Sequence, residues 1–139
     1  LKGCLENYRF FRSKLEDSTK LLVLVKANAY GHGAVEFASL MEDDGADYLA
    51  VAYPVEGIEL RQAGIKSPII VLTAGTDSFE QIVNYGLEPG IPNLCALKEL
   101  CNVLEKRGVK DFPVHIKLDT GMHRLGFMTD EIDELVEFM

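Results

Sequence analysis

Short apolar runs alternate along this chain with stretches of helical period, and few folds accommodate that alternation. Strand–helix repetition is the signature of a parallel sheet whose crossovers are helices. The runs Leu21–Val25, Tyr48–Ala52, Pro68–Leu72 and Val114–Asp119 read as strands, with a weaker one over Leu87–Ile91 that Pro89 and Gly90 interrupt. Between them Ala34, Phe37, Ala38 and Met41 recur at i, i+3, i+4 and i+7, which is one helix face. An opening helix places Cys4, Tyr8, Phe11 and Leu15 together, and Pro54 suits the first turn of a helix that Gly64 closes. Ser78 and Gln81 have capping-box spacing, Asn93 can cap a helix burying Leu94, Leu97, Cys101 and Leu104 up to Gly108, and Ile132, Leu135, Val136 and Met139 start a last helix. The expectation is an α/β fold of about five strand–helix units over residues 1–139, with no linker, repeat or second domain.

Two architectures carry such units: an open doubly wound sheet, and part of an eight-stranded (β/α)8 barrel of the TIM type. The last strand discriminates. His115, Lys117 and Asp119 alternate with Val114, Ile116 and Leu118, so its polar residues share one face. A doubly wound sheet is covered by helices on both faces and wants both apolar. A polar face near an active mouth suits a barrel, so a partial TIM-type barrel is preferred.

Composition removes several function classes. The 139 residues suffice for one core, and no apolar run approaches the roughly 18 residues that a membrane span needs. A net charge of −8, from 14 basic and 22 acidic residues, argues against nucleic acid and an anionic membrane as partners. Cys4, Cys95 and Cys101 are odd in number and irregular in spacing, which reads as reduced thiols in a cytoplasmic protein rather than a disulfide framework. The chain opens without methionine or signal-peptide architecture and stops on an apolar, uncapped residue, so it is expected to be a piece of something longer.

The chemistry concentrates in two places. In Val25-Lys26-Ala27-Asn28-Ala29-Tyr30-Gly31-His32-Gly33 a lysine stands at the carboxyl end of the first strand. Barrel enzymes place their chemistry at that end. A lysine held partly out of water there has its amine form favoured, and an amine attacks aldehydes. On position alone Lys26 is either that nucleophile or merely solvated. Tyr30 can offer a hydroxyl to a phosphate or carboxylate, and Gly31 and Gly33 admit close backbone approach to a ligand. Glu36 stands where a dinucleotide fingerprint needs its third glycine, so that reading is rejected.

The second place is His115-Ile116-Lys117-Leu118-Asp119-Thr120-Gly121-Met122-His123-Arg124-Leu125-Gly126. Arg124 lies between two glycines past a strand end. It is either a surface arginine or a permanently charged donor to an anionic or phenolic oxygen. Lys117, if inward-facing, is a buried cation that must find a partner, lose its proton or be modified. His32, His115 and His123 have no metal-ligand spacing, so no metal is expected, and there is no Gly-x-Ser-x-Gly elbow.

Both motifs, in order and at plausible spacing, resemble those of alanine racemases. Tyr48–Ala52, Glu56-Gly57 and Leu60-Arg61 resemble that family's second unit, so the likeness spans the chain. The resemblance implies a pyridoxal 5'-phosphate enzyme of the barrel type that interconverts L- and D-alanine, supplying D-alanine for peptidoglycan. It implies that Lys26 carries the cofactor aldehyde as a Schiff base and is one of two catalytic bases. Tyr30 would hydrogen-bond the cofactor phosphate. Arg124 would contact the phenolic oxygen and the substrate carboxylate. Lys117 would be the often carbamylated lysine that orients the arginine. His123 departs from the glycine of many relatives. The family's second base, a tyrosine from a C-terminal domain of the other subunit of a homodimer, lies outside these residues, as do the later strands of the barrel. The chain is therefore expected to be an N-terminal fragment, inactive alone and prone to self-association through its unpaired sheet edges. A serine or broad-specificity racemase and a non-catalytic pyridoxal-phosphate-binding domain are the alternatives.

Overall fold

A computed structural model describes residues 1–139, which divide into two compact units, Leu1–Leu72 and Thr73–Met139. The first unit holds α1 (Lys2–Arg12), β1 (Leu22–Leu24), α2 (Lys26–Gly31), α3 (Ala34–Asp43), β2 (Tyr48–Val51), α4 (Pro54–Gln62) and β3 (Ile69–Val71). β1 and β3 flank β2, and all pair in parallel, with Leu22 opposite Tyr48 and Leu49 opposite Ile69. The β2 strand is buried nearly throughout: Leu49, Ala50 and Val51 are inaccessible, as the middle strand of a helix-covered parallel sheet should be. β3 adds Ile69 and Val71 to this core, and the helices add Ala38, Met41 and Leu60.

The second unit holds a 3-10 turn (Thr76–Ser78), α5 (Phe79–Asn84), β4 (Glu88–Ile91), α6 (Leu94–Arg107), β5 (His115–Ile116), a second 3-10 turn (Thr129–Glu131) and α7 (Ile132–Phe138). β4 and β5 are parallel, with Gly90 opposite His115. Phe79, Ile82, Leu87, Ile91, Leu100 and Phe127 form its core. Asn93 caps α6 as expected, its side-chain oxygen accepting from Ala96 N–H at 2.9 Å, and Gly108 ends that helix in the left-handed conformation. Pro54 occupies the first turn of α4.

Four local expectations are corrected. Helix α1 stops at Arg12, so Leu15 lies outside it, and of its expected face only Tyr8 is buried. The Ser78 hydroxyl donates back to the Gly75 carbonyl at 2.6 Å, closing the 3-10 turn, and so makes no capping box with Gln81. Strand β1 covers only Leu22–Leu24 of the expected Leu21–Val25, because Val25 already leads into the turn that follows. The last strand is regular only over His115–Ile116, because the chain beyond it pairs with its own continuation through Leu118 and Phe127.

Candidate active site

Lys26 begins α2 immediately past β1, and the backbone there is unusual. Ala27, Asn28, Ala29 and Tyr30 all adopt left-handed helical angles, with φ between 49° and 54°. For residues with a Cβ, that conformation costs roughly 1–2 kcal/mol each. Only Asn28 belongs to a type that tolerates it well. The rest of the segment holds the turn in place. Ala29 N–H donates to the Val25 carbonyl at 3.0 Å, Gly33 N–H to the Asn28 carbonyl at 3.2 Å, and Ala34 N–H to the Asn28 side chain at 2.8 Å. Ala29 is buried. Strain held by its surroundings in this way is a mark of functional segments.

The turn stands at the carboxyl end of β1. It leaves Lys26 half-buried and Tyr30 63% exposed. Neither the Lys26 amine nor the Tyr30 hydroxyl has a hydrogen-bond or ion-pair partner within the chain. Glu56, at the start of α4, reaches the turn: its Oε1 accepts from Ala27 N–H at 2.7 Å.

In the second unit Lys117 follows β5 directly. Its N–H donates to the Ile91 carbonyl at 2.9 Å, and its carbonyl accepts from Phe127 N–H at 2.8 Å. Its side chain is half-buried, and its ammonium meets no carboxylate. Residues 118–127 form a strap closed by the Leu118–Phe127 bridge and by Asp119 N–H donating to the Phe127 carbonyl at 2.9 Å. Asp119 clamps the strap from within. Its Oδ1 accepts from Gly121 N–H and His123 N–H, each at 2.9 Å, and its Oδ2 lies 3.3 Å from His123 Nδ1. The N–H groups of Gly121, then of His123, hold the Asp119 carboxyl below its ordinary pKa. Arg124 rides on this strap, exposed and in no ion pair.

The strap depends on Gly126. It has φ +134°, and a Cβ there would lie 2.6 Å from Asp119 N and 2.7 Å from the Leu118 carbonyl carbon. His123 takes φ 54° and pairs with Asp119 through its ring. The expected polar face of β5 is present in part: His115 Nε2 lies 2.6 Å from Glu88 Oε2 on the adjacent strand.

Lys26 and Tyr30 are thus brought onto one turn, and Lys117 and Arg124 onto one strand-and-strap. Sequence reading missed Glu56 and Asp119 as supports. Their signal was an acidic residue three positions past a helix-capping residue, Tyr53, and an Asp leading into a loop flanked by Gly121 and Gly126.

The chain matches the family model described as "Alanine racemase, N-terminal domain" over residues 1–139. It is 44% identical over 124 residues to an alanine racemase of Synechocystis, covering 88% of this chain and 33% of that protein. It is 44% identical over 129 residues to one of Thermodesulfovibrio yellowstonii, covering 91% and 35%. The alanine racemase structure of Clostridium difficile superposes with a TM-score of 0.90 at 37% identity, over 96% of this chain and 36% of that one. The biosynthetic alanine racemase of Pseudomonas aeruginosa does so at 0.83 and 26% identity, over 99% and 38%. The chain spans about a third of the length of the relatives it matches. The fold class expected from sequence, a parallel α/β barrel type, is the one these structures share with it, and the chain belongs to the alanine racemase N-terminal domain family.

Proposed function

We propose that the protein carrying this chain is a pyridoxal 5'-phosphate-dependent alanine racemase, a cytoplasmic homodimer that supplies D-alanine for peptidoglycan. The observation that carries the reading is Lys26: a half-buried amine with no partner, set at a strand's carboxyl end on a strained left-handed turn. Spending strain to present an unpaired lysine is hard to account for on structural grounds alone.

The open donors suit an anionic cofactor with an aldehyde. The Lys26 amine is free to bind the aldehyde, the exposed Tyr30 hydroxyl is free to donate to a phosphate, and the unpaired Arg124 guanidinium is free to donate to a phenolic oxygen or a substrate carboxylate. When bound, the cofactor supplies an electron sink that makes the α-proton of alanine acidic. The Lys26 Nζ then takes or returns that proton on one face of Cα. Racemisation needs a second base on the opposite face. Lys26 supplies only one, and the second is assigned to a tyrosine of the partner subunit, outside this chain. Lys117 is proposed as a carbamylation site: its half-buried amine, once deprotonated, adds carbon dioxide and releases a further proton, leaving a carbamate anion able to orient Arg124 on the same unit.

The test is reduction of the cofactor-loaded protein with borohydride, followed by mapping of the modified residue and a chiral assay of alanine. The label is expected on Lys26, with both label and racemisation lost in Lys26→Ala.

A further inference from the structure

We infer that Glu56 is a positioning residue for Lys26, tying the strained turn that carries the lysine to the adjacent strand end; the inference rests on the reading of Lys26 as the reactive amine. In the parallel ladder of β1 with β2, Val25 N–H donates to the Ala50 carbonyl at 2.8 Å. The next N–H on that side belongs to Ala27, two residues on, and in a continued ladder it would meet the Ala52 carbonyl. The left-handed conformation of Ala27, φ 52°, removes that rung. The Glu56 carboxylate takes its place. Oε1 accepts from Ala27 N–H at 2.7 Å, while Oε2 accepts from Ala52 N–H at 2.7 Å and Tyr53 N–H at 3.0 Å.

An ordinary helix-capping glutamate would account for the Tyr53 bond alone. The Ala27 bond crosses 29 residues of sequence to reach the residue directly after the lysine. One carboxylate therefore links the carboxyl ends of two neighbouring strands and anchors the first residue of a turn that has little intrinsic preference for its shape. If that anchor is lost, the backbone on which Lys26 is mounted loses its register to β2.

Glu56→Gln separates the two roles. Its single carbonyl oxygen is held by the pair of donors at Ala52 and Tyr53, which keeps the cap of α4 and leaves an amide NH2 against the Ala27 N–H. The experiment uses a protein of the relatives' full length carrying this sequence. Three quantities are compared with the parent: amide exchange at Ala27, the rate at which an amine-selective acylating reagent labels Lys26 in the cofactor-free protein, and kcat and KM for alanine. The expected result is exchange at Ala27 faster by about tenfold or more, the loss expected for one hydrogen bond to an ionised acceptor. The Lys26 labelling rate should shift at least threefold, and kcat should fall with KM changed less, while exchange in the first turn of α4 stays at the parent level. Exchange, labelling and kcat all within twofold of the parent would overturn the inference. So would faster exchange at Ala27 with labelling and kcat unchanged, since Glu56 would then hold the turn without placing the lysine. If the parent itself does not racemise alanine, the racemase reading fails, and the labelling rate alone decides for or against Glu56.

Discussion

Gly126→Ala should unfasten the strap that carries Arg124. The methyl group would be built 2.6 Å from Asp119 N, 2.7 Å from the Leu118 carbonyl carbon and 3.0 Å from the Lys117 carbonyl oxygen. All three are backbone atoms, so no side-chain rotation relieves the contact. The residue's φ of +134° adds strain of about 1–3 kcal/mol once a Cβ is present. Moving the Asp119 backbone aside sacrifices the two bonds that close the strap, Asp119 N–H to the Phe127 carbonyl and Phe127 N–H to the Lys117 carbonyl, at about 1 kcal/mol each. The sum is about 3–5 kcal/mol, which corresponds to a loss of roughly a hundredfold or more in protection of the closed strap. Gly121→Ala is the control: φ is again positive, at +130°, but no atom lies within 4 Å of the added carbon, so only the conformational strain applies. Amide hydrogen exchange read at Asp119 and Phe127 measures both. Exchange at these two amides within threefold of the parent in Gly126→Ala would show that the strap does not rest on this close approach, as would equal damage from Gly121→Ala.

Two further outcomes follow from single side chains. The Tyr8 hydroxyl is buried with no hydrogen-bond partner, and burial, then the charge of Asp47, raises its pKa. Tyr8→Phe should therefore stabilise the protein by about 1 kcal/mol in urea denaturation, since an unsatisfied buried donor is removed at constant shape; destabilisation by a similar amount would contradict this. Asp119 has its folded pKa depressed by the N–H groups of Gly121 and His123. A depressed carboxyl contributes stability above its unfolded value, about 3.9, and loses it as pH falls through the folded value. The strap should stay clamped through neutrality and loosen only in acid. The amide resonances of Gly121 and His123 should titrate together with a midpoint below that of an ordinary aspartate, and a midpoint at or above it would contradict the clamp.

The order of elements was legible because each strand is an apolar run and each helix repeats an apolar face: Leu49 to Val51 in β2 and Ala34, Ala38 and Met41 in α3 are buried, whereas of the face expected for α6, Leu94, Leu97, Cys101 and Leu104, only Leu97 is buried, the helix turning Ala96, Leu100 and Val103 inward with it. Asn93 caps its own helix as its place in the sequence implied, whereas Ser78, with the same kind of signal, turns its hydroxyl back to the Gly75 carbonyl. What was not legible depends on partners distant in sequence or on conformations the residue types do not favour. Nothing in Ala27-Asn28-Ala29-Tyr30 announces a left-handed turn, since alanine and tyrosine avoid it; the turn exists because Glu56 and the Asn28 side chain hold it. Strand five looked longer than it is because alternation continues through Lys117 and Asp119. There the chain leaves the sheet to bond with Phe127, and Gly126, which permits that approach, reads in sequence only as a loop glycine. The positions of Lys26 and Arg124 could be anticipated; the carboxylates that fix their backbones could not.

The proposed chemistry turns on Lys26 being the amine that receives the cofactor. The direct measurement is mass-spectrometric mapping of a protein of the relatives' full length, loaded with pyridoxal 5'-phosphate and reduced with borohydride, beside Lys26→Ala. One reduced cofactor adduct is expected, on the peptide containing Lys26, absent from the variant together with its absorption band. An adduct on another lysine that persists in Lys26→Ala, or no adduct in the parent at saturating cofactor, would contradict it.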